Sequence, residues 1–89
     1  SKAVSLDPES SAIRFKLAVI NESQNANETA AKLYFQAGEL AIREKNNEAI
    51  YSSLAALERL SESEHGRTFY AALLTRAEAY QRLEIHTGA

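Results

Sequence analysis

The sequence predicts an all-α domain of four antiparallel helices. Alanine, leucine and glutamate are abundant, whereas the 89 residues include only three glycines and one proline, and this composition favours helices over sheets. Four stretches show the apolar spacing of amphipathic helices, with short polar connections that make consecutive helices antiparallel neighbours. We expect one domain over 1–89, with helices at about 8–21, 28–45, 47–60 and 68–84.

The first helix is predicted by its start signal. Asp7 suits the N-cap position, and Pro8 is favoured at the first helical position. Ile13, Leu17 and Ile20 recur at helical spacing, although the same stretch also shows the alternation typical of a strand. We favour the helix, because the start signal is strong and no second strand is predicted that would pair with this one.

The second helix is predicted to be the most buried. On a wheel of about 100° per residue, its apolar residues form two stripes on nearly opposite sides. The first stripe is Ala30, Leu33, Tyr34, Ala37, Leu40 and Ala41, and the second is Ala31, Phe35, Gly38 and Ile42. Because both sides must be covered, we expect this helix to pack against at least two other helices. Asn27 suits the N-cap, and Gly38 would let a neighbouring backbone approach closely.

The third and fourth helices follow polar connections. A turn at Lys45-Asn46-Asn47 leads into the third helix. The polar stretch 61–66, which ends at Gly66, is predicted to be a non-helical connection between the third helix and the fourth. The apolar face of the third helix consists of Ala49, Ile50, Leu54, Ala56, Leu57 and Leu60. That of the fourth consists of Phe69, Tyr70, Leu73, Leu74, Ala77 and Tyr80.

Two helices of about 15 residues joined by a short turn are the unit of helical repeat proteins. The pair from 27 to 60 resembles a tetratricopeptide repeat, which places small residues where its helices cross and large apolar residues nearby. The matching positions are Ala37, Ala49 and Ala56 for the small residues and Leu33 and Leu40 for the large ones. Leu6-Asp7-Pro8 resembles the linker before such a repeat, which would instead pair the first two helices. The resemblance implies stacked helical hairpins, and a plain four-helix bundle is the alternative.

The composition argues against several classes of function. The net charge of −2 gives no reason to expect nucleic acid, and without cysteine there is neither a disulfide framework nor a thiolate nucleophile. No apolar run approaches the ~20 residues that span a bilayer, and no signal peptide is visible, so we expect a cytoplasmic domain or a fragment whose targeting sequence lies elsewhere. His65 beside Glu62 and Glu64 is interpreted as a solvated loop. We predict no enzyme, catalytic residue, metal, cofactor, membrane contact or small-molecule substrate.

Surplus apolar surface predicts a protein–protein interaction. Tyr51 and Ala55 lie off the main apolar face of the third helix and form a strip that nothing else in the chain would cover. Tyr34 and Tyr70 are further candidates, since partly exposed tyrosines favour interfaces. We predict an adaptor, scaffold or chaperone-like domain that binds a helix or peptide of a partner protein. The alternatives are a structural oligomerisation subunit or a fragment of a larger helical protein, and a small helical regulatory or DNA-binding domain.

Overall fold

The described part of the chain is a small bundle of four helices. The computed structural model describes residues 10–86, with side chains as far as Leu83. The helices are α1 (Ser11–Ser23), α2 (Asn27–Glu44), α3 (Asn47–Arg59) and α4 (Glu64–His86). Consecutive helices run antiparallel. The start of α1 contacts the end of α2 through Ser11 and Glu44, and Tyr51 early in α3 contacts Gln81 late in α4. The predicted all-α class is confirmed, and this range contains no strand.

The beginning of α1 differs from its prediction. Ser10 has an extended backbone (φ −72°, ψ 135°), and its hydroxyl accepts a hydrogen bond from the Ala12 amide at 3.1 Å. This bond satisfies one of the free amides of the first turn, so Ser10 caps a helix that begins at Ser11 rather than near residue 8. The predicted signals at Asp7 and Pro8 lie outside the described residues.

The prediction of Asn27 as the cap of α2 is wrong. Asn25 adopts the left-handed conformation (φ 65°), which asparagine tolerates better than most residues. The following amide, that of Ala26, donates to the carbonyl of Asn21 at 2.9 Å and closes the end of α1. Ala26 thereby takes the cap position of α2 without any side-chain bond. Asn27 becomes the first helical residue.

The start of α4 is also earlier than predicted. The Ser63 hydroxyl accepts a hydrogen bond from the Gly66 amide at 3.1 Å, as an N-cap residue does, and α4 begins at Glu64 rather than near residue 68. Gly66 is buried against the carbonyl group of Leu60, with no room there for a β-carbon. The glycine therefore does not extend a loop. It lets the first turn of α4 pack closely against the end of α3.

The core is built around α2, which contacts all three other helices. Its first stripe meets α1, where the Tyr34 and Phe15 rings pack edge to face with centroids 5.2 Å apart. Its second stripe meets α4, where Phe35 lies 5.1 Å from Phe69. The prediction that α2 packs against a neighbour on each of its two apolar sides is therefore confirmed. Gly38 contributes differently than predicted, because the group that fills the space beside it is the Leu73 side chain and not a backbone.

Candidate partner-binding surface

The exposed apolar side chains of α1 are the most distinctive surface feature. Leu17, Val19 and Ile20 are 43%, 45% and 51% exposed. Elsewhere within residues 10–83, only Tyr51 and Leu83 are large apolar side chains with comparable exposure. Leu17 and Ile20, three residues apart, are neighbours on the helix surface, and contiguous exposed apolar surface is typical of interaction sites.

The exposure arises because α1 has two apolar faces. Phe15 packs against Tyr34, and Ala18 is fully buried, so this face of α1 meets α2. Ile13, Leu17 and Ile20 recur at i, i+4 and i+7 and fall on the opposite side of the helix. We call these three residues the outer stripe. Within it Leu17 and Ile20 are exposed and Ile13 is half-buried, and among the described helices α1 contacts only α2 and, lightly, α3.

The charges close to the outer stripe are cationic. Lys16 is exposed and lies beside the stripe, whereas Arg14 donates a hydrogen bond to the Gln36 side chain of α2. The segment from 11 to 21 contains no acidic residue. The first acid of α1, Glu22, lies on the face that meets α2 and is engaged there. The solvent side of α1 therefore combines apolar groups with positive charge.

A groove of about 370 Å³ separates the first turns of α1 and α3. We call it the α1–α3 groove. Its volume lies at the lower end of the range for binding clefts, roughly 300–1,000 Å³. The residues that line it are Ser11, Ala12, Phe15, Lys16, Asn46, Glu48, Ala49, Ser52 and Ser53. Lys16 stands on the α1 side and Glu48 on the α3 side, so the rim offers charges of both signs around partly apolar walls.

Ser53 is an unusual member of that lining. Its side chain is almost completely buried, and its hydroxyl oxygen has no hydrogen-bond partner. Leaving a buried hydroxyl unsatisfied costs about 1–3 kcal/mol. Among the described residues, the Ser53 hydroxyl oxygen is the one buried side-chain polar atom without a hydrogen-bond partner. Ser53 belongs to the α3 side of the groove.

A polar cluster ties α1, α2 and α3 together. Glu22 Oε1 accepts hydrogen bonds from the Tyr34 hydroxyl and from Arg59 Nη2, both at 2.6 Å. Burial acts to raise the pKa of Glu22, but the hydrogen bonds from Tyr34 and Arg59 outweigh it and lower the pKa. Burial, together with the neighbouring carboxylate, raises the pKa of Tyr34 to about 12. The cluster thus holds an ionised carboxylate and a neutral phenol at neutral pH, an arrangement suited to holding helices together.

The four predicted binding residues do not form one surface. Tyr51 is 54% exposed, and its hydroxyl accepts a hydrogen bond from Gln81 of α4 at 2.5 Å. Ala55, one turn later, is also exposed, whereas Tyr70 is partly buried against the core. Tyr34 is completely buried, so its prediction as an exposed anchor is wrong: its ring fills the contact between α1 and α2.

The described residues contain neither a cluster of metal-ligating side chains nor a membrane-spanning helix. No group of three or more histidine, aspartate and glutamate side chains is placed to hold a metal ion there. His65 lies 3.3 Å from Glu28, and both side chains are largely exposed. None of the helices, within the same residues, has the length and apolar character required to cross a membrane.

The outer stripe was not singled out by the sequence as a binding surface. The signal was present in the spacing of Ile13, Leu17 and Ile20, but spacing alone does not say which of two apolar faces is buried. Comparison with protein-family models, with curated proteins and with solved structures finds nothing that matches this chain.

Proposed function

We propose that this domain is a non-catalytic protein–protein interaction module that binds a helix or peptide segment of a partner. The observation that carries the proposal is the exposure of Leu17 and Ile20 on one side of α1. Removing apolar surface from water contributes about 25 cal/mol per Å², and this is the main source of affinity when such side chains enter an interface.

Two further features support an adaptor or scaffold role. The α1–α3 groove lies beside the exposed side of α1 and extends the surface on which a partner segment would rest. The strip formed by Tyr51 and Ala55 is a separate patch, toward α4, and is not part of the proposed binding surface. The resemblance to a tetratricopeptide repeat, which rests on the spacing of small and large apolar residues between 27 and 60, agrees with a binding role.

A structural oligomerisation subunit is the second candidate. Leu83 on α4 is exposed, as are Leu17 and Ile20 of the outer stripe on α1. A head-to-tail arrangement would bring α1 of one copy against α4 of the next, and contacts of this kind generate open assemblies or rings. This candidate predicts self-association, whereas the interaction module predicts a monomer that binds a different protein.

Affinity capture and sedimentation equilibrium separate the two candidates. The immobilised full chain is exposed to an extract of its own cells, beside a Leu17→Gln/Ile20→Gln variant and a Tyr51→Glu control on the other patch. We expect the wild type and the control to retain the same partner protein and the double variant to lose it. Sedimentation of the wild type should give a monomer over a wide concentration range. Self-association that the double variant abolishes would replace the proposal with the oligomerisation candidate.

A further inference from the structure

We infer that the outer stripe of α1 binds an amphipathic helix whose apolar seam is flanked by carboxylates. The inference rests on the proposed function and adds the shape and the charge of the partner. Three observations carry it: the spacing of the stripe, the charges around it, and the poor fit of a second copy of this chain.

The spacing of the stripe fits a helix. Side chains four residues apart, or three, form ridges that pack into the grooves of another helix, and a stripe at i, i+4 and i+7 contains one step of each kind. The second stripe of α2 has the same spacing at Ala31, Phe35 and Gly38, and the neighbour that fills it is α4, through Phe69 and Leu73. The outer stripe repeats this pattern on α1 and lacks only the neighbour.

The charges select an acidic partner. Lys16 is exposed beside the stripe, and no acid lies between Ser11 and Asn21. The acid that follows, Glu22, is held by Tyr34 and Arg59. The amino-terminal end of α1 adds no free positive charge, because the Glu44 carboxylate accepts hydrogen bonds from the Ser11 amide and hydroxyl there. Carboxylates beside the apolar seam of a docking helix would therefore meet the Lys16 ammonium, whereas the nearest unpaired acid among the described residues, Glu48, stands on the far side of the α1–α3 groove.

A second copy of this chain fits less well. Symmetric pairing of two outer stripes in antiparallel orientation would bring the two Lys16 ammonium groups close together, with no acid on either helix segment to offset their repulsion. Pairing with α4 of another copy offers Leu83 as the only large exposed apolar side chain of that helix up to residue 83. An anionic lipid surface also fits poorly, because the whole chain carries a net charge of −2.

The test uses two synthetic helical peptides of about 18 residues with the same leucine seam. One carries glutamates beside the seam and the other carries lysines. Each is titrated into the isotopically labelled full chain, and amide chemical shifts report both affinity and location. Vesicles of phosphatidylserine and phosphatidylcholine are tested in parallel. The same titrations are repeated with Lys16→Glu and with the Tyr51→Glu control.

We expect the glutamate peptide to bind about fivefold more tightly than the lysine peptide, which corresponds to replacing attraction by repulsion at an exposed ion pair. The shifts should centre on Ile13, Leu17 and Ile20. Lys16→Glu should reverse the order of the two peptides, and Tyr51→Glu should leave it unchanged. Equal affinities, shifts centred on the α1–α3 groove, or preferential binding to the vesicles would each overturn the inference. If neither peptide binds while capture of the natural partner still depends on Leu17 and Ile20, the inference fails and the proposed function stands.

Discussion

The helices α1 and α2 share the same pattern of apolar residues but differ in the neighbours that cover it. Each has apolar residues on two opposite sides. In α2 both sides are covered, one by α1 through Tyr34 and the other by α4 through Phe35 and Gly38. In α1 the side containing Phe15 and Ala18 is covered by α2, while Leu17 and Ile20 on the other side remain about half exposed. The comparison separates apolar surface that stabilises the fold from apolar surface that is available to a partner.

The difference follows from position in the bundle. Because α2 is the central helix, each of its stripes meets a neighbour from the same chain. As α1 lies at one edge and does not contact α4, none of the other described helices reaches its outer side. Substitutions on the covered faces should therefore change the free energy of unfolding strongly, and those on the outer stripe should change it little.

The largest effect is expected at the contact shared by the two helices. Tyr34→Ala removes a completely buried ring from the α1–α2 contact, which should lower the free energy of unfolding by about 3–5 kcal/mol. Tyr34→Phe keeps the ring and removes only the hydrogen bond to Glu22, at a cost of about 1–2 kcal/mol. Urea denaturation followed by circular dichroism measures both values. Equal losses would mean that the hydrogen bond, and not the packing of the ring, joins the helices.

The second stripe of α2 is expected to be nearly as sensitive. Gly38→Val inserts a branched side chain where Leu73 is already fully buried, and overpacking of this kind costs about 1–3 kcal/mol. The better helix propensity of valine recovers only a few tenths of a kcal/mol. Thermal and urea denaturation should both show the loss. An unchanged melting temperature would indicate that α4 does not pack tightly on this stripe.

Acidification is expected to reduce the stability that the Glu22 cluster contributes at the covered side of α1. The folded-state pKa of Glu22 lies below its ordinary value of 4.5, so the cluster contributes its stability above that pH and loses it as the pH falls through the folded-state pKa. Unfolding midpoints measured from neutral pH downward should fall more steeply for the wild type than for Glu22→Gln. Parallel curves for the two proteins would exclude a stabilising role for the ionised carboxylate.

The smallest effect is expected at the Tyr51 patch. Tyr51→Phe removes a hydrogen bond between two exposed side chains, which should change the free energy of unfolding by no more than about 0.5 kcal/mol. Chemical denaturation beside Tyr34→Phe provides the matched comparison, because both variants lose one hydroxyl. A loss at Tyr51 as large as that at Tyr34 would show that the α3–α4 contact depends on the Gln81 hydrogen bond.

The sequence predicted the helices and the central position of α2, because hydrophobic spacing directly reports a helix with two apolar sides. It did not predict which face of α1 is buried. Ile13, Leu17 and Ile20 form the more regular row, but the bulk of Phe15 and the small size of Ala18 give the better fit against Tyr34. Tyr34 was expected near the surface because tyrosine carries a polar group. That group finds Glu22 and Arg59, and their positions depend on how α1 and α3 cross α2.

We propose that the outer stripe contributes to binding and not to the stability of the fold. The most direct measurement is the free energy of unfolding of the Leu17→Gln/Ile20→Gln variant relative to the wild type. Because both side chains are about half exposed, the double substitution should lower the free energy of unfolding by no more than about 2 kcal/mol. The helical circular dichroism should be unchanged. Two truly buried side chains would account for about 4–10 kcal/mol, and a loss in that range would contradict the account.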